Sequence, residues 1–210
     1  MADLIHDCTG AILAGGENSR MPLLKSFIEV AGQKIIERNI RITTPLFKER
    51  FIATNQPEYY SSLNIPLLGD VYDVRGPMTG IFTVLLNASN NWVFISACDM
   101  PFLNRDLMVY MAMKRAGKDA VVPLLNGNLE PLFAFYSKRL LNRMEKAVLC
   151  GRKSLGDFLR NKRVQYITKE EIEKIDSHAA SFVNLNSPED IERYLQQKDI
   201  IRFKRKVKGG

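Results

Sequence analysis

The segment Asn91-Trp-Val-Phe-Ile-Ser-Ala-Cys98 constrains this chain more than any other. It is apolar almost without interruption, the pattern of a strand covered by helices on both faces rather than one with a wet side. Such a strand belongs to a parallel sheet held between two helical layers. The surrounding sequence agrees. Residues 9–14, 50–54, 65–68, 120–123, 132–136 and 164–167 read as further strands. Residues 33–43, 78–86, 105–116, 138–149, 154–160 and 188–196 carry helical spacing. The expectation is an α/β chain with a single three-layer domain and a mostly parallel central sheet. It spans residues 1–200 and ends in a basic tail, residues 201–210. No repeat or Pro/Ser-rich linker divides it.

With 210 residues, 46% of them hydrophobic, one sizeable core is available. No apolar run reaches the length of about 18 residues that a membrane span requires. Residues 1–9 hold Asp3, His6 and Asp7 and lack a basic-then-apolar leader pattern, so the cytoplasm is the expected compartment. The formal net charge is +7, but Arg202, Lys204, Arg205, Lys206 and Lys208 supply five of those charges from the tail. The body is only mildly basic, and no nucleic-acid partner is expected. Three widely spaced cysteines fit neither a disulfide framework nor a zinc site; Cys8 and Cys98, in apolar runs, read as buried thiols. His6 and His178 stand far from any nucleophile pattern.

Three constellations carry chemistry. The first is Leu13-Ala-Gly-Gly-Glu-Asn-Ser-Arg-Met-Pro-Leu-Leu-Lys25. A strand that runs into Gly15 and Gly16 lets the backbone turn sharply and present N–H groups to an anion. Arg20 and Lys25 add positive charge suited to a polyphosphate. It is not a Walker A loop, because Gly16 stands where the lysine belongs, and no G-x-G-x-x-G is present. The second is Ser96-Ala-Cys-Asp-Met-Pro-Phe102, in which Asp99 follows the central strand directly. That carboxylate either emerges at the carboxyl edge of the sheet as an oxygen donor for Mg²⁺ or caps the helix that follows. The third is Gly69-Asp-Val-Tyr-Asp-Val-Arg-Gly-Pro-Met-Thr-Gly80, with Asp70 ahead of a helix N-terminus at Pro77 that offers N–H donors. Asn55, at the end of residues 50–54, can serve a base, a sugar or a turn. Asn184 and Asn186 alternate ahead of Pro188 and so share one side of an extended segment.

In this order, these pieces resemble the molybdenum cofactor guanylyltransferase family within the glycosyltransferase-A-like nucleotidyltransferases. The likeness rests on the loop from Leu13 to Lys25, Asp70 before Gly76-Pro77, Cys98-Asp99-Met100-Pro101, and Asn184-Leu185-Asn186 before Pro188. It runs from about residue 9 to about residue 196. Two positions depart from the family pattern: Pro22, where glycine is usual, and Leu24, where an acid is usual.

The resemblance implies transfer of GMP from GTP to molybdopterin, with release of pyrophosphate. Leu13, Ala14, Gly15, Gly16, Lys25, Asn55, Asp70, Gly80 and Asp99 would then form the GTP site, with Mg²⁺ on Asp99 and Arg20 facing the phosphates. Asn184 and Asn186, and secondarily Arg152 and Lys153, would face the pterin phosphate. A molybdoenzyme or another cofactor-biosynthesis protein is the implied protein partner. Two other readings stay open at this point. One is a cytidylyltransferase for the same pterin or a sugar-phosphate nucleotidyltransferase; Gly15, where cytidine relatives tend to have alanine, leans towards guanine. The other is a non-catalytic nucleotide-binding adaptor.

Overall fold

The computed structural model of this chain describes residues 5–15, 25–30 and 32–183. The seven expected strand segments within them all form strands. They are β1 (Cys8–Leu13), β4 (Glu49–Ala53), β5 (Leu67–Leu68), β6 (Trp92–Ala97), β7 (Ala120–Leu125), β9 (Phe133–Ser137) and β10 (Val164–Thr168). Two-residue strands β2 (Glu29–Val30), β3 (Gln33–Lys34) and β8 (Asn128–Leu129) add small hairpins. The helices are α1 (Ile35–Thr43), α2 (Pro77–Asn87), α3 (Arg105–Met113), α4 (Leu141–Leu149), α5 (Leu155–Leu159) and α6 (Lys169–Glu173). The helix expected over residues 188–196 and the basic tail lie outside the described residues.

Element ends differ from the reading for local reasons. Gly32, at φ +73°, turns the chain so that Gln33 and Lys34 pair back onto β2, and α1 starts two residues late. α3 stops at Met113, where the Lys114 N–H bonds back to the Met111 carbonyl at 3.0 Å and Gly117, at φ +70°, turns the chain. β7 runs on to Leu125 because Asn126 and Gly127, at φ +50° and +82°, form a tight turn into β8. α6 is set by a capping box in which Thr168 and Glu171 satisfy each other's backbone N–H groups. Residues 138–140 form a 3₁₀ turn before α4 rather than its first turn.

The main sheet runs β5-β4-β1-β6-β9-β7-β10, with β8 paired to β7. Every neighbour along that path is parallel except β9, which is antiparallel to both β6 and β7. One face is covered by α2, α4 and α5, whose Ile81, Phe82, Met144 and Phe158 pack on Val93, Ile95 and Ala134. The other carries α1, α3 and α6. There Leu107, Met108 and Ile172 meet Phe94, Phe133 and Phe135, while Ile36 meets Ile12 and Ile52. Burial on both faces is what the apolar central strand requires: Val93, Phe94 and Ile95 are each fully buried.

Gly10 serves this packing and not a ligand. A Cβ there would sit 2.6 Å from Cδ2 of Phe47, so its absence lets that ring lie against β1.

Candidate active site

Register builds the site. Leu13 pairs with both Ala53 and Ala97, and Ala53 pairs with Leu68. Four strands therefore end level at the carboxyl edge of the sheet. The residues that follow them, Ala14–Gly15, Thr54–Asn55, Gly69–Asp70 and Cys98–Asp99, emerge side by side. Backbone bonds carry the alignment one step further: Ala14 N–H to Ala53 O at 2.8 Å, Thr54 N–H to Leu68 O at 2.8 Å and Cys98 N–H to Leu13 O at 3.1 Å. The chain moves from β1 outward to β4 and β5, then returns to place β6 on the other side of β1. The crevice at such a reversal is where open α/β sheets bind ligands.

On the β4–β5 side, Asn55 and Asp70 hold each other. Asn55 Nδ2 donates to Asp70 Oδ2 at 2.8 Å, and the Asp70 backbone N–H donates to Asn55 Oδ1 at 2.8 Å. Burial pushes the Asp70 carboxyl above its ordinary value, and the Asn55 donation offsets part of that rise. Gly80 lets α2 pack against this corner: a Cβ there would lie 3.4 Å from Leu13 Cδ2 and 3.8 Å from Asp70 Oδ1.

On the β6 side, Lys25 Nζ stands 3.7 Å from Asp99 Oδ2, with both side chains partly covered. Asp99 is not the cap of the next helix; Asn104 caps α3 by accepting from Leu107 N–H at 3.0 Å. Lys25 opens a 3₁₀ turn, Lys25–Phe27, that is fastened from below. Ser26 Oγ and Tyr60 Oη share a hydrogen bond at 2.8 Å, and the Phe27 and Tyr60 rings meet at 5.5 Å between centroids. Burial pushes the Tyr60 hydroxyl up to about 12, with the Ser26 bond opposing and Cys98 adding, so it stays neutral. Cys98 is a free thiol that keeps part of its surface open, being the first residue past β6, whereas Cys8 is buried. Burial and then the neighbouring Asp99 push the Cys98 thiol up to about 12, which removes it as a nucleophile near neutral pH.

Gly15 corrects the reading of the loop. It is exposed, it is not among the described glycines at positive φ, and a Cβ on it would meet nothing within 4 Å among the described residues. Nothing among the described residues requires glycine there, and on their side the missing side chain leaves room beside the backbone. Gly16, Arg20, Pro22, Leu24, Asn184 and Asn186 lie outside the described residues.

The structure thus brings Leu13, Ala14, Gly15, Lys25, Asn55, Asp70, Gly80 and Asp99 to one edge. It does not bring Arg152 and Lys153 into that group. Both are exposed in the turn between α4 and α5, next to β8, where Gly156 approaches Leu129. Sequence reasoning missed Ser26 and Tyr60, which touch across 34 positions with no local signal. It also missed Glu130, a partly buried carboxylate just before β9. A separate cleft of about 740 Å³, lined by Asp7, Trp92, Arg115 and Lys138 among others, opens at the opposite edge and holds no candidate residue.

Among the described residues no three His, Cys, Asp or Glu side chains gather into a metal cage. Asp99 is a single hard oxygen donor, which suits a cation that completes its shell with phosphate and water. No helix among the described residues is long and apolar enough to cross a membrane.

Residues 10–168 match the family model of the MobA-like NTP transferase domain. The chain is similar to a probable molybdenum cofactor guanylyltransferase of Peptoclostridium acidaminophilum, 33% identical over 192 residues that cover 88% of this chain and 87% of that one. It is 34% identical over 196 residues to another of that description from Natranaerobius thermophilus, covering 90% of this chain and 96% of that one. Among solved structures it resembles molybdopterin-guanine dinucleotide biosynthesis protein A of Archaeoglobus fulgidus, with a TM-score of 0.78 and 27% identity over 88% of this chain and 95% of that one.

Proposed function

The chain belongs to the MobA-like NTP transferase family and is a nucleotidyltransferase with a glycosyltransferase-A-like fold, and we propose that it transfers GMP from GTP to molybdopterin, releasing pyrophosphate. The observation that carries this reading is the Lys25–Asp99 pair, 3.7 Å apart at the point where the strand order reverses. It sets a cation and a carboxylate side by side where a triphosphate would lie.

In the proposed reaction, an oxygen of the acceptor's terminal phosphate attacks the α-phosphorus of GTP. The bond from that phosphorus to the bridging oxygen breaks on the opposite side, and the electron pair leaves with pyrophosphate. Such transfer depends on alignment and charge neutralisation more than on a covalent nucleophile. Phosphate is already ionised near neutral pH, so no base has to deprotonate it. Lys25 offsets negative charge on the departing phosphates, with Arg20 proposed beside it. Asn55 and Asp70 hold the nucleoside, and Gly80 keeps α2 close enough for Leu13 to line the same wall. Gly15 leaves its backbone open to the base. Asp99 would hold a divalent cation such as Mg²⁺, which when bound supplies further neutralisation of phosphate charge. Asn184 and Asn186 are proposed to face the acceptor phosphate, with the whole reaction in the cytoplasm and the product passed to a molybdoenzyme or another cofactor-biosynthesis protein.

Pyrophosphate release on mixing the protein with GTP, molybdopterin and Mg²⁺ tests the proposal. Asp99→Ala should abolish release while the circular-dichroism spectrum and unfolding midpoint stay close to wild type. No release by the wild type under these conditions sinks the reading. Isothermal titration should rank GTP above CTP and ATP; tighter CTP binding would overturn the guanine assignment.

A further inference from the structure

Residues 69–76 carry Asp70 between β5 and α2 with no strand or helix of their own. Asn55 holds Asp70 from β4, but a segment tied at a single residue is free to pivot about it. Three side chains of the helical layer supply further ties. The Val71 backbone N–H, immediately after Asp70, donates to Thr83 Oγ1 at 3.1 Å. Tyr72 Oη donates to Glu145 Oε1 at 2.7 Å, and its ring stacks on Phe82 at 5.5 Å between centroids. Thr79 Oγ1 donates to the Val74 carbonyl at 2.6 Å.

Residues 71, 72 and 74 are therefore each fastened from the helical layer. Thr79 and Thr83 stand four apart in α2, on one face of the helix, and are 1% and 0% exposed. A buried hydroxyl needs a partner, and each of these finds one in the loop. Glu145 belongs to α4, so Tyr72 reaches past the β5–α2 connection to a second helix. The loop alternates accordingly: Val71 and Asp73 are exposed, while Tyr72 and Val74 pack against the core beside Phe82. Asp70 is thus held by β4 through its side chain, and by α2 and α4 through the backbone that follows it.

We propose that Thr83 and the Tyr72–Glu145 pair are positioning residues for GTP, holding Asp70 in the place from which it meets the nucleoside. This rests on the reading of Asn55 and Asp70 as the nucleoside's side of the site. Each acts through residues 71–74, and neither has to touch the nucleotide. A loosened loop has to be ordered again whenever GTP binds, and that entropy is lost from affinity. The Lys25–Asp99 pair stands on the β6 side and does not depend on these ties. The effect should therefore fall on GTP binding and spare kcat.

The test is a double-mutant cycle on GTP binding, by isothermal titration of the full chain carrying Thr83→Val, Asp70→Ala or both. Valine keeps the shape of threonine and removes the acceptor. Thr83→Val should weaken GTP binding about three- to tenfold, the size of one net hydrogen bond, while kcat at saturating GTP stays within about twofold. Thr83→Ser, which keeps the hydroxyl, should recover most of the loss. In the Asp70→Ala background Thr83→Val should cost less than about twofold, because it acts through Asp70. Glu145→Ala, at a partly exposed position, should weaken GTP binding about threefold without the risk of a buried substitution. An undiminished cost in the Asp70→Ala background overturns the proposal. So does a lower unfolding midpoint with unchanged GTP affinity, the result of a merely structural role. If the wild type binds no GTP, or Asp70→Ala binds it as well as wild type, the reading of the nucleoside site fails. Amide hydrogen exchange then judges the ties alone: exchange about tenfold faster at Val71 in Thr83→Val, with β1 and β6 unchanged, supports them, and unchanged exchange overturns them.

Discussion

Removing the Tyr60 hydroxyl should loosen Lys25 without touching it. Ser26 and Tyr60 are each 1% exposed, and their side-chain oxygens share one hydrogen bond of 2.8 Å. In Tyr60→Phe the ring still packs on Phe27, but Ser26 Oγ is left buried without a partner. A stranded buried hydroxyl costs about 1–3 kcal/mol. Ser26→Ala strands the Tyr60 hydroxyl in the same way and should cost a similar amount. With both hydroxyls gone, no polar atom is left unsatisfied. The double variant should therefore be less destabilised than the sum of the singles, by about 1 kcal/mol of coupling. At this chain length 1 kcal/mol corresponds to roughly 2–4 °C in the midpoint, so a single variant losing about 2 kcal/mol should melt about 4–8 °C lower.

Urea unfolding of the four proteins gives the cycle, and pyrophosphate release well below the lowest midpoint gives the functional readout. Because Lys25 begins the turn that Ser26 anchors, kcat should fall in both single variants even where the protein is fully folded. Single variants within about 0.5 kcal/mol of wild type, or a double variant equal to the sum, would refute the reasoning; an unchanged kcat would refute the link to Lys25.

The remaining predictions concern two glycines and two acids. Gly10→Ala should destabilise the fold by about 1–3 kcal/mol, because its Cβ would lie 2.6 Å from the Phe47 ring. Gly15→Ala should leave the midpoint unchanged and weaken GTP binding in a titration, since its Cβ meets none of the described residues; a large drop in midpoint would show that the glycine serves the backbone after all. Asp70→Asn should hold or raise stability at neutral pH, because the folded state raises that carboxyl and so disfavours its charge, while activity falls. Asp119 shows the opposite linkage: its hydrogen bond from Arg163 lowers its carboxyl despite burial. Its contribution is present above the unfolded value of about 3.9 and is lost as pH falls through the lower folded value. Asp119→Asn should therefore flatten the acid limb of a stability–pH profile below about pH 4, and an unchanged slope there would count against this account.

Residue order alone determined most of the elements and the kind of sheet. Residues 91–98 are apolar in both alternating registers, so no placement leaves them a wet face, and a strand covered on both faces follows from that. The positions of two acids at the carboxyl edge were equally legible, because Asp70 and Asp99 each follow an apolar run closely. Some local signals were legible but passed over: Asn126-Gly127 marks a hairpin, and Thr168 with Glu171 makes a capping box.

Only the tertiary structure decided which strand ends lie level. Leu13, Ala53, Leu68 and Ala97 are far apart in sequence, and their alignment depends on register between strands joined by long crossovers. Local periodicity specifies which side chains face the layers, but not which strand becomes a neighbour. The same holds for the reversed β9, which sets Glu130 across β6 from the Asn55–Asp70 pair. It also holds for Gly10 and Gly15. Sequence marked both as potential loop glycines; a ring of Phe47 claims one, and nothing in the described chain claims the other.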